Sequence, residues 1–200
     1  MKYGFSLLVA ALLLTGCLSV DTTIELNRDG SGRLDIVYEI DAELYDLGVF
    51  DDTDNALPVP ISRDQFEDTV ERIPGLRLRR YRVREDVGVV TVSARLLFDS
   101  VDALNAWYGG GSEAISVTDE GESTLWRQLL YPGGGGAGEV GTALGDSLQG
   151  YRISYRLEPP SGVISAGIGG ISDDGKAAFV EISLEEIATA EAPSYWEVRW

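Results

Sequence analysis

The chain has 200 residues, with 16 Lys+Arg against 33 Asp+Glu, a formal net charge of −17 and no histidine. Such a field repels nucleic acid and anionic headgroups, and the missing imidazole removes the Ser/His/Asp relay, His-based zinc sites and the commonest general base. A hydrophobic content of 44% argues for a globule over a disordered chain, at a length that suits one domain with a sizeable core.

The N-terminus carries Lys2, an apolar run from Phe5 to Leu14, small residues at Thr15 and Gly16, and then Cys17, the one cysteine in the chain. The run is too short to cross roughly 30 Å of hydrocarbon, which takes about 20 apolar residues. Leu14-Thr15-Gly16-Cys17 resembles the lipobox of bacterial lipoproteins. That resemblance implies a signal peptide over 1–16, a diacylglyceryl group on the Cys17 sulfur, and a lipidated tether over 17–21 ahead of a single domain over 22–200. One acyl chain holds a protein to a bilayer only marginally, whereas two or more hold it firmly, so Cys17 is expected to keep the protein on the membrane of the bacterial envelope. With no second thiol there can be no intramolecular disulfide. Leu18 in place of an aspartate after the cysteine is similar to the pattern that sorts such proteins to the outer membrane. Losing Lys2 with the signal leaves the mature chain near −18.

Beyond the tether, alternation dominates. Ile24 and Leu26, the turn Asn27–Gly32 and the series Leu34, Ile36, Tyr38 and Ile40 predict a hairpin. Asn27, Asp29, Ser31 and Gly32 imitate the first half of a calcium loop, but Tyr38 stands where the bidentate glutamate belongs, so a turn is the better reading and no metal is expected. Phe50–Pro60 reads as an acidic loop. Ser62-x-x-Gln65 fits a capping box opening a helix that presents Phe66, Val70 and Ile73 on one face and stops at Pro74-Gly75. The basic strand Leu76–Arg84 follows. Its apolar residues change parity between Leu78 and Tyr81, which one bulged residue at Arg79 or Arg80 reconciles. Arg77, Arg79, Arg80, Arg82 and Arg84 then line one side, either as an anion-binding or phosphoglycolipid patch or as a solvated face neutralising nearby acids.

Val90, Val92, Ala94, Leu96 and Phe98 predict the strongest strand, leading into a short helix capped by Asp99 or Ser100 and ended at Gly109–Gly111. A hairpin over 114–131 follows, turning at Glu120-Gly121. The glycine-rich loop over 132–142 contains G-x-G-x-x-G at Gly136, Gly138 and Gly141, but no buried strand and parallel βαβ unit surround it, so no dinucleotide cofactor is expected. Tyr151–Leu157 reads as a strand, Asp174-Gly175 as a hairpin turn, and Trp196, Val198 and Trp200 as a buried final strand, with an exposed aromatic platform as the alternative.

The tethered cysteine, the Asp29–Gly32 turn, the capped helix, the Val87–Asn105 segment and the late L-x-P-P-x-G-V (Leu157–Val163) and S-x-x-G-K (Ser172–Lys176) pattern together resemble the LppM-like bacterial lipoprotein domain. The resemblance implies a mixed α+β envelope domain with no catalytic residues to carry over. Members often add a C-terminal transmembrane helix; without one, Cys17 is the expected sole anchor. The expected architecture is α+β: a curved antiparallel sheet of about seven to nine strands with two short helices on one face. The functions that fit are a non-catalytic interaction or scaffold lipoprotein acting on another envelope protein, a carrier of lipid or glycolipid, and, less economically, a carboxylate hydrolase. The first predicts a core without an enclosed cavity, the second an apolar cavity of several hundred Å³, and the third two acids facing each other across a cleft.

Overall fold

The computed structural model describes residues 19–46, 60–109, 114–133 and 151–200. The lipobox and Cys17, nearly all of the acidic loop at Phe50–Pro60, and the glycine-rich loop beyond Gly133 lie outside the described residues. Among the described residues, eleven strands and four short helices appear in the order β1 (Ser19–Leu26), β2 (Gly32–Asp41), α1 (Ala42–Asp46), α2 (Arg63–Arg72), β3 (Leu76–Asp86), β4 (Val89–Phe98), α3 (Val101–Trp107), β5 (Ile115–Asp119), β6 (Thr124–Tyr131), β7 (Arg152–Glu158), β8 (Ser165–Ala166), β9 (Gly170–Ile171), β10 (Ala178–Ser183), α4 (Leu184–Thr189) and β11 (Ser194–Arg199). A seven-stranded sheet runs β3-β4-β2-β1-β7-β10-β9, and a four-stranded sheet runs β5-β6-β11-β8.

The class is α+β, as the alternation predicts, with two corrections to the expected sheet. It is mixed, because β1 pairs with β7 in parallel while its other neighbour, β2, is antiparallel. The strands also divide between two sheets, since the hairpin β5-β6 takes β11 as its partner and so leaves the main sheet.

Period-2 alternation places one row of apolar side chains under every long strand. Across the large sheet the inward row Val83, Val92, Tyr38, Val20, Ile153 and Ile182 is in register from β3 to β10, and so is the next row, Tyr81, Ala94, Ile36, Thr22, Tyr155 and Val180. The basic strand reaches this register through the expected irregularity. Pairing with β4 shifts between Leu78 and Arg80, so Arg79 is the extra residue, and Leu76, Leu78, Tyr81 and Val83 all share the core side of β4.

Helices α2 and α3 lie on the inward face. Ser62 accepts from the Gln65 amide while the Gln65 side chain accepts from the Ser62 amide, completing the capping box, and Ser100 caps α3 through the Ala103 amide. Phe66, fully buried on α2, stacks on Trp107 of α3 at 5.8 Å and meets Tyr81 of β3 at the same distance. The Tyr81 hydroxyl donates to the Ile61 carbonyl at 2.7 Å. These contacts clamp both helices to the sheet.

The small sheet buries Trp126, Gln128, Trp196, Val198 and Trp200. The final strand is therefore core and not an exposed aromatic platform. Asn105 of α3 pins the edge of β5 by donating to the Ile115 carbonyl and accepting from its amide, at 2.7 and 2.6 Å. Gln128 is 1% exposed, yet neither its amide nitrogen nor its oxygen has a partner among the described residues. Removing an unpaired buried amide recovers about 1–3 kcal/mol of desolvation. Gln128→Met, which preserves the shape, is therefore expected to raise the urea midpoint of unfolding. A lowered midpoint would show that the amide is paired.

Candidate functional site

Between the inward face of the large sheet and the helices lies a cavity of about 430 Å³. Its floor comes from three neighbouring strands: Val20 and Thr22 of β1, Ile36 and Tyr38 of β2, and Ile153 and Tyr155 of β7. These six sit together because β1 pairs with β2 on one side and, in parallel, with β7 on the other, which sets Val20 between Tyr38 and Ile153 and Thr22 between Ile36 and Tyr155. The roof comes from Ile61, Thr69, Trp107 and Tyr108, on or beside α2 and α3. Where the cavity meets solvent stand Arg72 at the end of α2 and Arg152 at the start of β7, both exposed and neither ion-paired among the described residues. The volume lies within the 300–1,000 Å³ of ordinary small-molecule pockets, and the lining is mostly apolar with a few convergent polar groups.

Three tyrosine hydroxyls supply most of that polarity. Among the described residues the buried Tyr108 hydroxyl has no partner, and neither do those of Tyr38 and Tyr155. Burial raises all three pKa values: Tyr155 is pushed up to about 12, and Tyr38 and Tyr108 are raised further by each having ionisable tyrosines close by. Near neutral pH all three are uncharged phenols in the wall of a site with two guanidinium groups at its mouth. That arrangement can take an apolar body and orient an anionic or hydroxylated head.

The arginines singled out from the sequence lie elsewhere, across α2 from the cavity. All five are exposed. Arg77 pairs with Asp99 at 2.7 Å and Arg84 with Asp86 at 3.0 Å, so these two neutralise nearby acids. Arg79, Arg80 and Arg82 meet no carboxylate among the described residues. On the outer face of the sheet the cross-strand series Glu25–Arg33–Asp35–Arg95 alternates in sign, with contacts of 2.6–2.9 Å, and it ends where Arg80 stands opposite Arg95. Cys17 lies outside the described residues. At the half calcium loop Asp29 accepts from the Ser31 amide and hydroxyl, hydrogen bonds that hold its carboxyl below the usual range, and the segment is a turn with Gly30 at φ 83°.

Sequence reasoning placed Tyr38 on the inward face and Tyr108 and Tyr155 within a helix and a strand, but singled out none of them. The available signal was a phenol at an inward position of an otherwise aliphatic row, since its hydroxyl enters the core and needs a partner.

No family model and no curated protein matches the chain. The structure is similar to the NMR structure of the folded domain of the Mycobacterium tuberculosis LppM protein, with a TM-score of 0.46 and 13% sequence identity over 94% of this chain and 92% of that one.

Proposed function

We propose that this is a lipoprotein of the bacterial envelope, tethered through diacylglyceryl-Cys17, whose domain binds an amphiphile non-catalytically in the cavity beneath the large sheet. The observation that carries the reading is the 430 Å³ cavity itself, apolar over most of its surface, with Tyr38, Tyr108 and Tyr155 in its wall and Arg72 and Arg152 at its mouth. A pure scaffold has no use for such a space, because a cavity of this size forfeits packing that a filled core would keep. An apolar tail under Ile36, Ile153 and Trp107 restores those contacts. A phosphate, carboxylate or sugar head then meets the arginines and phenols.

Native mass spectrometry of the full chain purified from its own cells is expected to retain a bound lipid mass. In parallel, the fluorescent amphiphile anilinonaphthalene sulfonate is expected to bind the delipidated chain. Thr22→Trp, which fills the floor, should abolish that binding while the secondary structure persists. Arg72→Ala and Arg152→Ala should each weaken it about tenfold, the loss of roughly 1.4 kcal/mol that one charge-assisted contact supplies. Clean apoprotein from native cells, together with dye binding unmoved by Thr22→Trp, would overturn the reading and return the interaction-scaffold role to the front.

A further inference from the structure

Among the described residues the two sheets end in four edge strands: β9 and β8 with two residues each, β5 with five, and β3 with 11. Short edges are one way to keep a sheet from adding foreign strands, charged side chains along the edge being another, and β3 departs from the first over about 36 Å of chain while its arginines restrict which strands it can accept. No described strand pairs with its outer side, and among the described residues no backbone hydrogen bond leaves Arg77–Asp86 in that direction.

The edge is also set beside a helix. An open groove of about 520 Å³ runs between one flank of α2, with Val70 and Glu71, and the edge of β3 from Leu76 to Tyr81. Val70, Leu76 and Leu78 make its apolar side. Its cations differ in availability, because Arg63 is held by Glu67 at 3.0 Å and Arg77 by Asp99, whereas Arg79 and Arg80 meet no carboxylate among the described residues. Arg82 continues the free series along the strand.

We propose that the β3 edge is a strand-addition site for an extended acidic segment of a partner protein. The partner's main chain pairs with Arg77–Val83, its carboxylates meet Arg79, Arg80 and Arg82, and its alternate apolar side chains enter the groove against Val70 and Leu78. Extended peptides bind other domains in this manner, with main-chain bonds supplying affinity and alternate side chains supplying specificity. The arginines select the partner in two ways. Their forked donors match carboxylates bidentately, and a second copy of the same edge would set arginine against arginine, which opposes self-pairing. A bilayer is the weaker occupant, since an anionic surface gains about 1 kcal/mol per basic residue against the repulsion of a chain at −17, and it cannot reach the strand's amides. The site lies on the opposite flank of α2 from Thr69 and Arg72 of the cavity, so it stands or falls independently of the proposed lipid binding.

The probe is a synthetic peptide of about ten residues alternating Glu and Val, titrated into the isotope-labelled full chain. The amides of Arg77–Val83 are expected to shift and to gain protection from hydrogen exchange. A peptide N-methylated on alternate residues, which cannot pair along one edge, should bind at least tenfold more weakly. Arg79→Gln combined with Arg80→Gln should weaken the parent peptide at least tenfold and leave dye binding in the cavity unchanged. Equal binding of the N-methylated peptide would overturn the proposal by showing a bare anion patch. Concentration-dependent dimers broken by the same double variant would overturn it in favour of a second copy. Phosphatidylglycerol vesicles protecting these amides better than the peptide would overturn it in favour of the membrane.

Discussion

Above about pH 10 the three cavity phenols are expected to cost the domain up to roughly 4 kcal/mol of stability per pH unit, with a smaller addition from Tyr81, also raised by burial, because the folded state holds phenolic protons that the unfolded chain releases. The sign follows from the direction of the shifts. Tyr38, Tyr108 and Tyr155 are raised by burial first, and for the first two by neighbouring tyrosines as well. A raised pKa contributes stability that is whole below the unfolded value near 10 and is lost as pH climbs toward the folded value, which for Tyr155 is about 12. Each such proton accounts for about 1.4 kcal/mol per pH unit. Urea midpoints taken between about pH 9 and pH 12, alongside tyrosinate absorbance, measure the slope. Tyr108→Phe should reduce it by about a third, and a wild-type slope of one proton or less would mean that water already reaches the hydroxyls. The same burial keeps these phenols as neutral donors at physiological pH, the state in which they can serve an anionic head.

Phe66→Ala is expected to destabilise the domain by about 3–5 kcal/mol, the range for removing a fully buried aromatic ring. The ring joins α2, α3 and β3, through its stack on Trp107 and its tilted contact with Tyr81. Its loss leaves a void at a junction of three elements that cannot all close on it together. Because Trp107 and Ile61 also roof the cavity, dye binding should weaken in the variant at temperatures where it is still folded. Urea unfolding measures the energy, and a change below about 1 kcal/mol would show that the helices are held mainly by other contacts.

Much of the fold was legible from local pattern. The inward rows of β2 and β4 follow from strict alternation, the start of α2 from Ser62 and Gln65, and a bulge at Arg79 or Arg80 from a parity conflict that one extra residue resolves, with the register of β3 on β4 assigning it to Arg79. The helices α1 and α4 went unread because five and six residues are too few for a 3.6-residue period to declare itself. The fate of the arginines was half legible. That Arg77 and Arg84 find Asp99 and Asp86, while Arg79, Arg80 and Arg82 find no acid among the described residues, depends on which carboxylates the turns carry past the strand.

The sequence by itself determined which side of each strand is greasy, where the helices over 63–72 and 101–107 begin, and that chemistry by imidazole is absent, since these are properties of residue type and of neighbours within a turn or two. Only the tertiary structure decided that β1 lies parallel to β7, far along the chain, and that β3 is left as a long edge beside α2. Alternation states that a side chain faces inward but not which strand lies next to it, because pairing is chosen by the summed burial of the whole sheet. The first of those choices gathers Tyr38, Tyr108 and Tyr155 around one cavity, and the second leaves a row of arginines and open amides facing outward.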